Sequence, residues 1–249
     1  MTAPTEGGPY QLAGGSVAGR SHAISGRNNQ DGFCWIQSER GAVAVVCDGC
    51  GSRPHSEIGA KVGARLVAES ATMLLDSNHS VDEVLERVRT STLEGIEAWA
   101  RGISARHYRE IVVDYFLFTI VGVLVDQERV TPFSLGDGLL VINGERSELG
   151  PFENNEPPYL SYGLLHPSTA PRFNVHPSLD LDATESFLVG TDGALELPQL
   201  EPFWEDDRIF RNPDMVRRRL AVHQREHRAL GDDTTLIVAR SQRPTKERG

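Results

Sequence analysis

Three runs of strand-forming residues in this chain end on the same dipeptide. Ala42 to Cys47 leads into Asp48-Gly49, Thr131 to Gly136 into Asp137-Gly138, and Ser186 to Thr191 into Asp192-Gly193. A fourth acidic patch, Asp232-Asp233, stands just ahead of a short strand-like run from Thr234 to Ala239. An unpaired anion beside an apolar sheet is costly and must be compensated, so strands that end this way restrict how the chain can fold. Asp-Gly is also a strong hairpin signal, because Gly tolerates positive φ and Asp bonds back to the nearby backbone. Context separates the two readings. A small-residue loop, Cys50 to Pro54, and then a helical pattern follow Asp48-Gly49, while Asp192-Gly193 leads into Ala194 to Leu197 and a proline; neither closes a tight hairpin. Four acidic strand ends gathered in one place would need cations. Carboxylate oxygens suit hard divalent ions, whose natural chemistry is on phosphate.

The rest of the composition narrows the class. With 35 acidic and 25 basic residues the formal net charge is -10, which argues against a nucleic-acid binder working through a basic surface. No stretch of about 18 apolar residues is present to span a membrane, and the first residues lack the basic start and apolar core of a signal peptide. A cytoplasmic, monomeric protein is the expectation. Three cysteines are too few for a disulfide scaffold. Cys47 and Cys50 form a C-x-x-C, but there is no second pair to complete a zinc site, so buried small residues are the plainer reading. Because the pair flanks Asp48, its oxidation would also bend that residue away.

Along the chain, residues 1–15 read as a flexible leader, 16–240 as one domain and 241–249 as a flexible tail. Ser16 to Ile24, Gly32 to Gln37 and Ala42 to Cys47 read as strands. From Ser56 the spacing of Ile58, Val62, Leu66 and Met73 predicts a helix, and Ser80 with Glu83 three residues on predicts a capping box opening a second. Strands are expected over Asp114 to Val125, Arg129 to Ser134 and Leu139 to Ile142. Pro151 to Pro177, with six prolines, reads as a surface excursion, and Pro213 to Leu230 as a helix before the last strand. The order predicts an α+β fold of two antiparallel sheets with helices outside.

These motifs, taken in order, resemble the type 2C metal-dependent serine/threonine protein phosphatases in their bacterial branch, from about Ser16 to Arg240. Asn29-Gln30-Asp31 is similar to that family's first acidic motif, and Val45-Val46-Cys47-Asp48-Gly49-Cys50-Gly51 to its central Asp-Gly motif. His55 to Ala60 resembles the helix start that follows. Leu135-Gly136-Asp137-Gly138, Gly190-Thr191-Asp192-Gly193 and Gly231-Asp232-Asp233-Thr234-Thr235 resemble the three later motifs.

The resemblance implies a four-layer α-β-β-α sandwich holding two Mg2+ or Mn2+ ions, with a weaker third. Asp48 would bridge both ions, Asp192 and Asp232 would hold the first, and Asp31 with the Gly49 carbonyl the second. Asp137 would lie near the third, and Arg27 would hold the phosphoryl group. The catalytic residues implied are Asp48, Asp31 and Arg27; the partner implied is a phosphorylated protein, a Ser/Thr kinase or its targets. Physical chemistry agrees with the ligand set: two carboxylates about 4 Å apart repel by roughly 4 kcal/mol at an effective dielectric near 20, so such a cluster needs metal or protons. A divalent pair would also acidify a water and clamp the attacking and leaving oxygens.

The chain departs from the family pattern in two places. Gln30 stands where many members carry Glu, and Cys50 where some carry a His acid, which keeps open a second reading as a catalytically weak domain that binds a phosphoprotein. His22 and His55 lie near the motifs, where a structural hydrogen bond is the plainer role. His223 and His227, four apart, and the basic run Arg217 to Arg219 read as parts of a solvated helix face.

Overall fold

The computed structural model describes residues 8–75, 77, 79–212, 214–227 and 230–243. Two antiparallel sheets lie face to face. The first is ordered β1 (Tyr10–Val17), β11 (Thr234–Ser241), β10 (Ser186–Gly190), β6 (Gly138–Ile142) and β7 (Glu145–Leu149). The second is ordered β2 (Asp31–Ser38), β3 (Gly41–Asp48), β4 (Ile120–Val125), β5 (Arg129–Leu135) and β8 (Asn174–Val175), with β9 (Leu179–Asp180) also on β5. The central strands are apolar and buried along almost their whole length, as strands covered on both faces must be.

Residue parity divides them into layers. Ala42, Ala44 and Val46 of β3 meet Phe187, Val189, Ile237 and Ala239 of the opposite sheet in the inner core. Val43, Val45 and Cys47 face the other way, onto α2 (Ser56–Thr72), α3 (Val81–Ser104) and α4 (Tyr108–Tyr115). Leu188, Leu236 and Val238 back onto α6 (Pro202–Glu205), α7 (Asp207–Arg211) and α8 (Met215–Val222). The result is the expected helix-sheet-sheet-helix order. Helix α3 opens with the expected capping box: Ser80 and Glu83 bond reciprocally.

Several expectations are corrected. The leader assigned to 1–15 is a strand from Tyr10: β1 pairs with β11 over its whole length, and the fully buried Tyr10 hydroxyl donates to Thr184 O at 2.8 Å. Gly14-Gly15 obscures its alternation; a side chain on Gly15 would meet the α8 backbone at 2.5 Å. The strand expected over Ser16 to Ile24 stops at Val17 and gives way to a short helix, α1 (Arg20–Ser25). Asp114 belongs to α4, whose one buried residue is Val112, and β4 begins only at Ile120. The excursion from Pro151 is not purely surface: Tyr159, Leu160 and Ser161 are buried, and α5 (Tyr162–Leu165) follows them. The last helix ends at Val222 in a wider turn over 223–227. Most of the tail assigned to 241–249 lies outside the described residues.

Gly32 of β2 matters for where the site sits. A Cβ there would stand 2.5 Å from the carbonyl carbon of Ala60, so the bare strand lets α2 lie directly on β2 beside Asp31. Gly32→Ala should therefore lower stability by about 1–3 kcal/mol through overpacking, read as a fall in the urea midpoint; an unchanged midpoint would refute this contact.

Candidate metal centre

The same parity that builds the inner core aims the acids. Asp48 continues the inward series Ala42, Ala44, Val46, and Asp31 lies directly opposite it across the β2–β3 ladder. On the facing sheet, Thr191 and Thr235 continue the inward series of Val189 and Ile237. Thr191 Oγ1 donates to Asp31 Oδ2 at 2.9 Å and accepts from Thr235 N at 3.0 Å. The Thr235 hydroxyl donates to Ser16 Oγ at 2.6 Å, and Asn29 Nδ2 reaches the same Ser16 oxygen at 2.7 Å. A polar seam thus joins the two sheets at one end. Asp48 is fixed through its backbone: Thr119 N donates to Asp48 O at 2.8 Å, and Gly49 N to Gln30 O at 3.2 Å.

All five aspartates named from the sequence lie at this end. Asp31 is buried at the bottom, Asp48, Asp137 and Asp192 are half-buried, and Asp232 is exposed at the rim. Their titration shows how closely they crowd. Burial, with the Asp233 charge next, raises Asp31 to about 7, although hydroxyls from Thr235 and Thr191 partly offset this. Burial, then the charges of Asp31, Asp192 and Asp232, pushes Asp48 well above the usual carboxylate range. Asp192 is raised to about 6 by burial and by Asp232 and Asp137. Asp137 is raised by burial alone. Asp31 faces Asp48 across the ladder, and burial together with that facing charge favours a proton on Asp48 when no cation is near.

The residues fit a divalent cation. Asp31 Oδ1 and Gln30 Oε1 are buried oxygens with no hydrogen-bond partner. Buried oxygens without donors, beside acids forced to keep protons, are what an oxygen-seeking ion relieves.

A different trio, His22, Asp232 and Asp233, is the one group of described residues with three ligand atoms all within 4.8 Å of one another. Its chemistry fits structure better than metal. Both Asp233 oxygens are already taken: Oδ1 accepts from Gly19 N at 2.6 Å, and Oδ2 from Gln30 N at 2.6 Å while also bonding His22 Nδ1 at 2.7 Å. Asp233 ties the segments before α1, β2 and β11 together and leaves Asp232 facing outward. Asp233, Thr191 and Thr235 are the functional residues that sequence reasoning missed. Period-two alternation, extended past the apolar part of β10 and started at the first residues of β11, would have marked the two threonines.

Arg27 is exposed, and its Nη1 and Nη2 donate to Gly51 O at 2.6 Å and Arg53 O at 2.7 Å, which ties it to the loop after Asp48-Gly49. His22 makes the expected structural hydrogen bond, and His55 packs its ring on Tyr115 at 4.6 Å. Cys34, Cys47 and Cys50 are free thiols; Cys47 is fully buried against α2 rather than beside the Asp48 side chain. Arg217 and Arg218 share Asp214, and Arg219 pairs with Asp206, as a solvated face would.

The family model of Protein phosphatase 2C matches residues 18–228. This chain belongs to that family. Solved structures with the same fold include a bacterial serine phosphatase (14% identity over 94% of this chain and 99% of the other, TM-score 0.55). Serine/threonine phosphatase Stp1 from Staphylococcus aureus is similar over 98% of this chain and 100% of its own, at 15% identity and TM-score 0.55. The catalytic domain of serine threonine protein phosphatase PstP, solved with two manganese ions, is 17% identical over 93% of this chain and 97% of its own, with TM-score 0.52. No curated protein sequence matches. At these identities the structures support the fold, and the Protein phosphatase 2C assignment rests on the family match.

The raised acids of this Protein phosphatase 2C member fix a pH dependence. A carboxyl whose folded pKa is raised keeps a proton that the unfolded chain has lost, so its stability contribution is full below about pH 4 and is lost as pH rises toward 7. In chelator, the thermal midpoint should fall across that window, fall less in Asp31→Asn, and recover at pH 7 on adding Mn2+. A flat profile in the wild-type protein would contradict the buried acid pair.

Proposed function

We propose that this chain hydrolyses phosphoserine and phosphothreonine in proteins, using water activated at a pair of Mg2+ or Mn2+ ions. The observation that carries the reading is the Asp31–Asp48 register pair, with Asp192 and Asp232 close enough for their charges to act on Asp48. Asp48 feels acids from both sheets and is the group suited to touch both ions. Asp192 and Asp232 would hold one ion, Asp31 and the Gly49 carbonyl the other, and Asp137 a weaker third. When bound, the ions would neutralise the carboxylates, acidify a water and clamp phosphate oxygens for in-line displacement.

The chain's own residues prepare that site. Thr191 engages Asp31 and leaves its Oδ1 unpartnered. Thr119 and Gln30 fix the backbone on either side of the Asp48 side chain. A covalent phosphoenzyme on Cys47 is not part of the reading: that thiol is fully buried, and burial with nearby acids pushes its pKa well up, away from the nucleophilic thiolate. The partner would be a phosphorylated protein, a Ser/Thr kinase or its targets, met by a cytoplasmic monomer. No helix among the described residues is long and apolar enough to cross a membrane.

One observation favours the second reading, a domain that binds a phosphoprotein without turnover. Cys50, where a His acid stands in some members, bonds Ser52 Oγ at 3.2 Å, and Gln30 supplies only a neutral oxygen. Phosphate release from a phosphothreonine peptide separates the two. We expect Mn2+-dependent turnover that falls at least about 100-fold in Asp48→Ala and Asp192→Ala, as loss of metal-held charge stabilisation requires. Mn2+ binding without turnover would support the second reading, and full turnover in either variant would reject both the site and the mechanism.

A further inference from the structure

We propose that the outer face of α8 docks an acidic segment of the phosphoprotein substrate, an assignment that rests on the phosphatase reading and adds what such substrates carry beside the phosphorylated residue. Helix α8 and the wider turn after it, residues 215–227, hold four arginines and one acid in a chain whose formal net charge is -10. Arg218, Ala221, Val222 and Arg225 recur at i, i+3, i+4 and i+7, the spacing of one helix face. With Arg217 they line a groove of about 260 Å3, in which Val222 is 46% exposed and offers an apolar contact among the cations. Arg217 and Arg218 share one carboxylate, Asp214, and no carboxylate among the described side chains pairs with Arg225. Three guanidiniums against one carboxylate leave the groove cationic on an otherwise acidic molecule.

The helix leads toward the end of the sandwich that carries the acids. It lies along β1: a Cβ on Gly15 would stand 2.5 Å from Arg217 N, and one turn and more further on Gln224 Nε2 donates to Ala18 O. The next residue, Gly19, donates its N–H to Asp233, the neighbour of Asp232 at the rim. From Arg217 to Arg225 the stripe is about 12 Å long at 1.5 Å per residue, the span of about four residues of an extended peptide. Guanidinium forks match carboxylates, and a chain this acidic repels an acidic partner everywhere except on such a face. A single exposed valine gives no apolar face to sink into a bilayer, which favours a peptide over a membrane surface.

The test compares two peptides built on a non-hydrolysable phosphonate analogue of phosphothreonine, flanked by about four residues that are Glu in one and Gln in the other. Their binding to the Mn2+-loaded protein is followed by fluorescence anisotropy, which reads the groove whether or not the protein turns over. The Glu flank should tighten binding about tenfold at low salt, and by less as salt is added. Arg218→Glu with Arg225→Glu should abolish that preference, and Arg218→Gln with Arg225→Gln should cut it to about twofold. Mn2+ affinity, the thermal midpoint and the rate on p-nitrophenyl phosphate should stay at the wild-type values. Equal binding of the two peptides by the wild-type protein, or a Glu preference that survives in both double variants, would overturn the assignment. Binding to phosphatidylserine vesicles that depends on these arginines, with no gain from the Glu flank, would overturn it in favour of a membrane surface. A wild-type protein that prefers the Glu flank but releases no phosphate from a phosphothreonine peptide would uphold the groove and count against the phosphatase reading alone.

Discussion

Two carboxyl groups that repel each other are held together at the mouth of the sandwich, and much of the local structure follows from that constraint. Asp31 and Asp48 occupy opposed positions on neighbouring strands, where the ladder fixes their separation, Asp31 buried and Asp48 half-buried. Like charges opposite one another weaken a sheet. Here Thr191 sends a hydroxyl across from the other sheet to Asp31, which offsets part of that cost. The groups that destabilise one another there are the ones a divalent cation would satisfy.

The two sheets contribute unequal parts. The β2–β3 side supplies the buried acids and the loop carrying Cys50 and Arg53, while the β10–β11 side supplies Thr191, Thr235 and the acids at the rim. Asp137 lies where the chain passes from β5 in one sheet to β6 in the other. A site assembled across two layers depends on how those layers are fastened. The seam from Asn29 through Ser16 and Thr235 to Thr191 does this beside the acids, and Asp233 does it behind them. Both fastenings are buried polar contacts, strong when fully bonded and costly when broken.

Asp48, Asp137 and Asp192 were legible because each stands at the end of a strand-like run, where a carboxylate demands an explanation. Asp31, after polar residues, was reached only through the resemblance of Asn29-Gln30-Asp31 to a family motif. The capping box at Ser80 was legible as local chemistry with a local consequence. What stayed hidden depends on contact between distant segments. Strand β1 is marked by nothing but its partner β11, since Gly14-Gly15 erase its alternation where a ring and a helix press close. Arg27 reads as a free cation until the loop carbonyls of Gly51 and Arg53 are seen beside it. Asp233 looks like a twin of Asp232, yet three donors from other segments make one structural and leave the other at the rim.

The central claim is that acids from both sheets hold a pair of cations with Asp48 between them. An anomalous difference map from crystals of the protein soaked in Mn2+ tests it most directly. The account predicts two peaks flanking Asp48, one on the side of Asp192 and Asp232 and one on the side of Asp31. No peak beside Asp48, or a single peak centred on His22, Asp232 and Asp233, would contradict it.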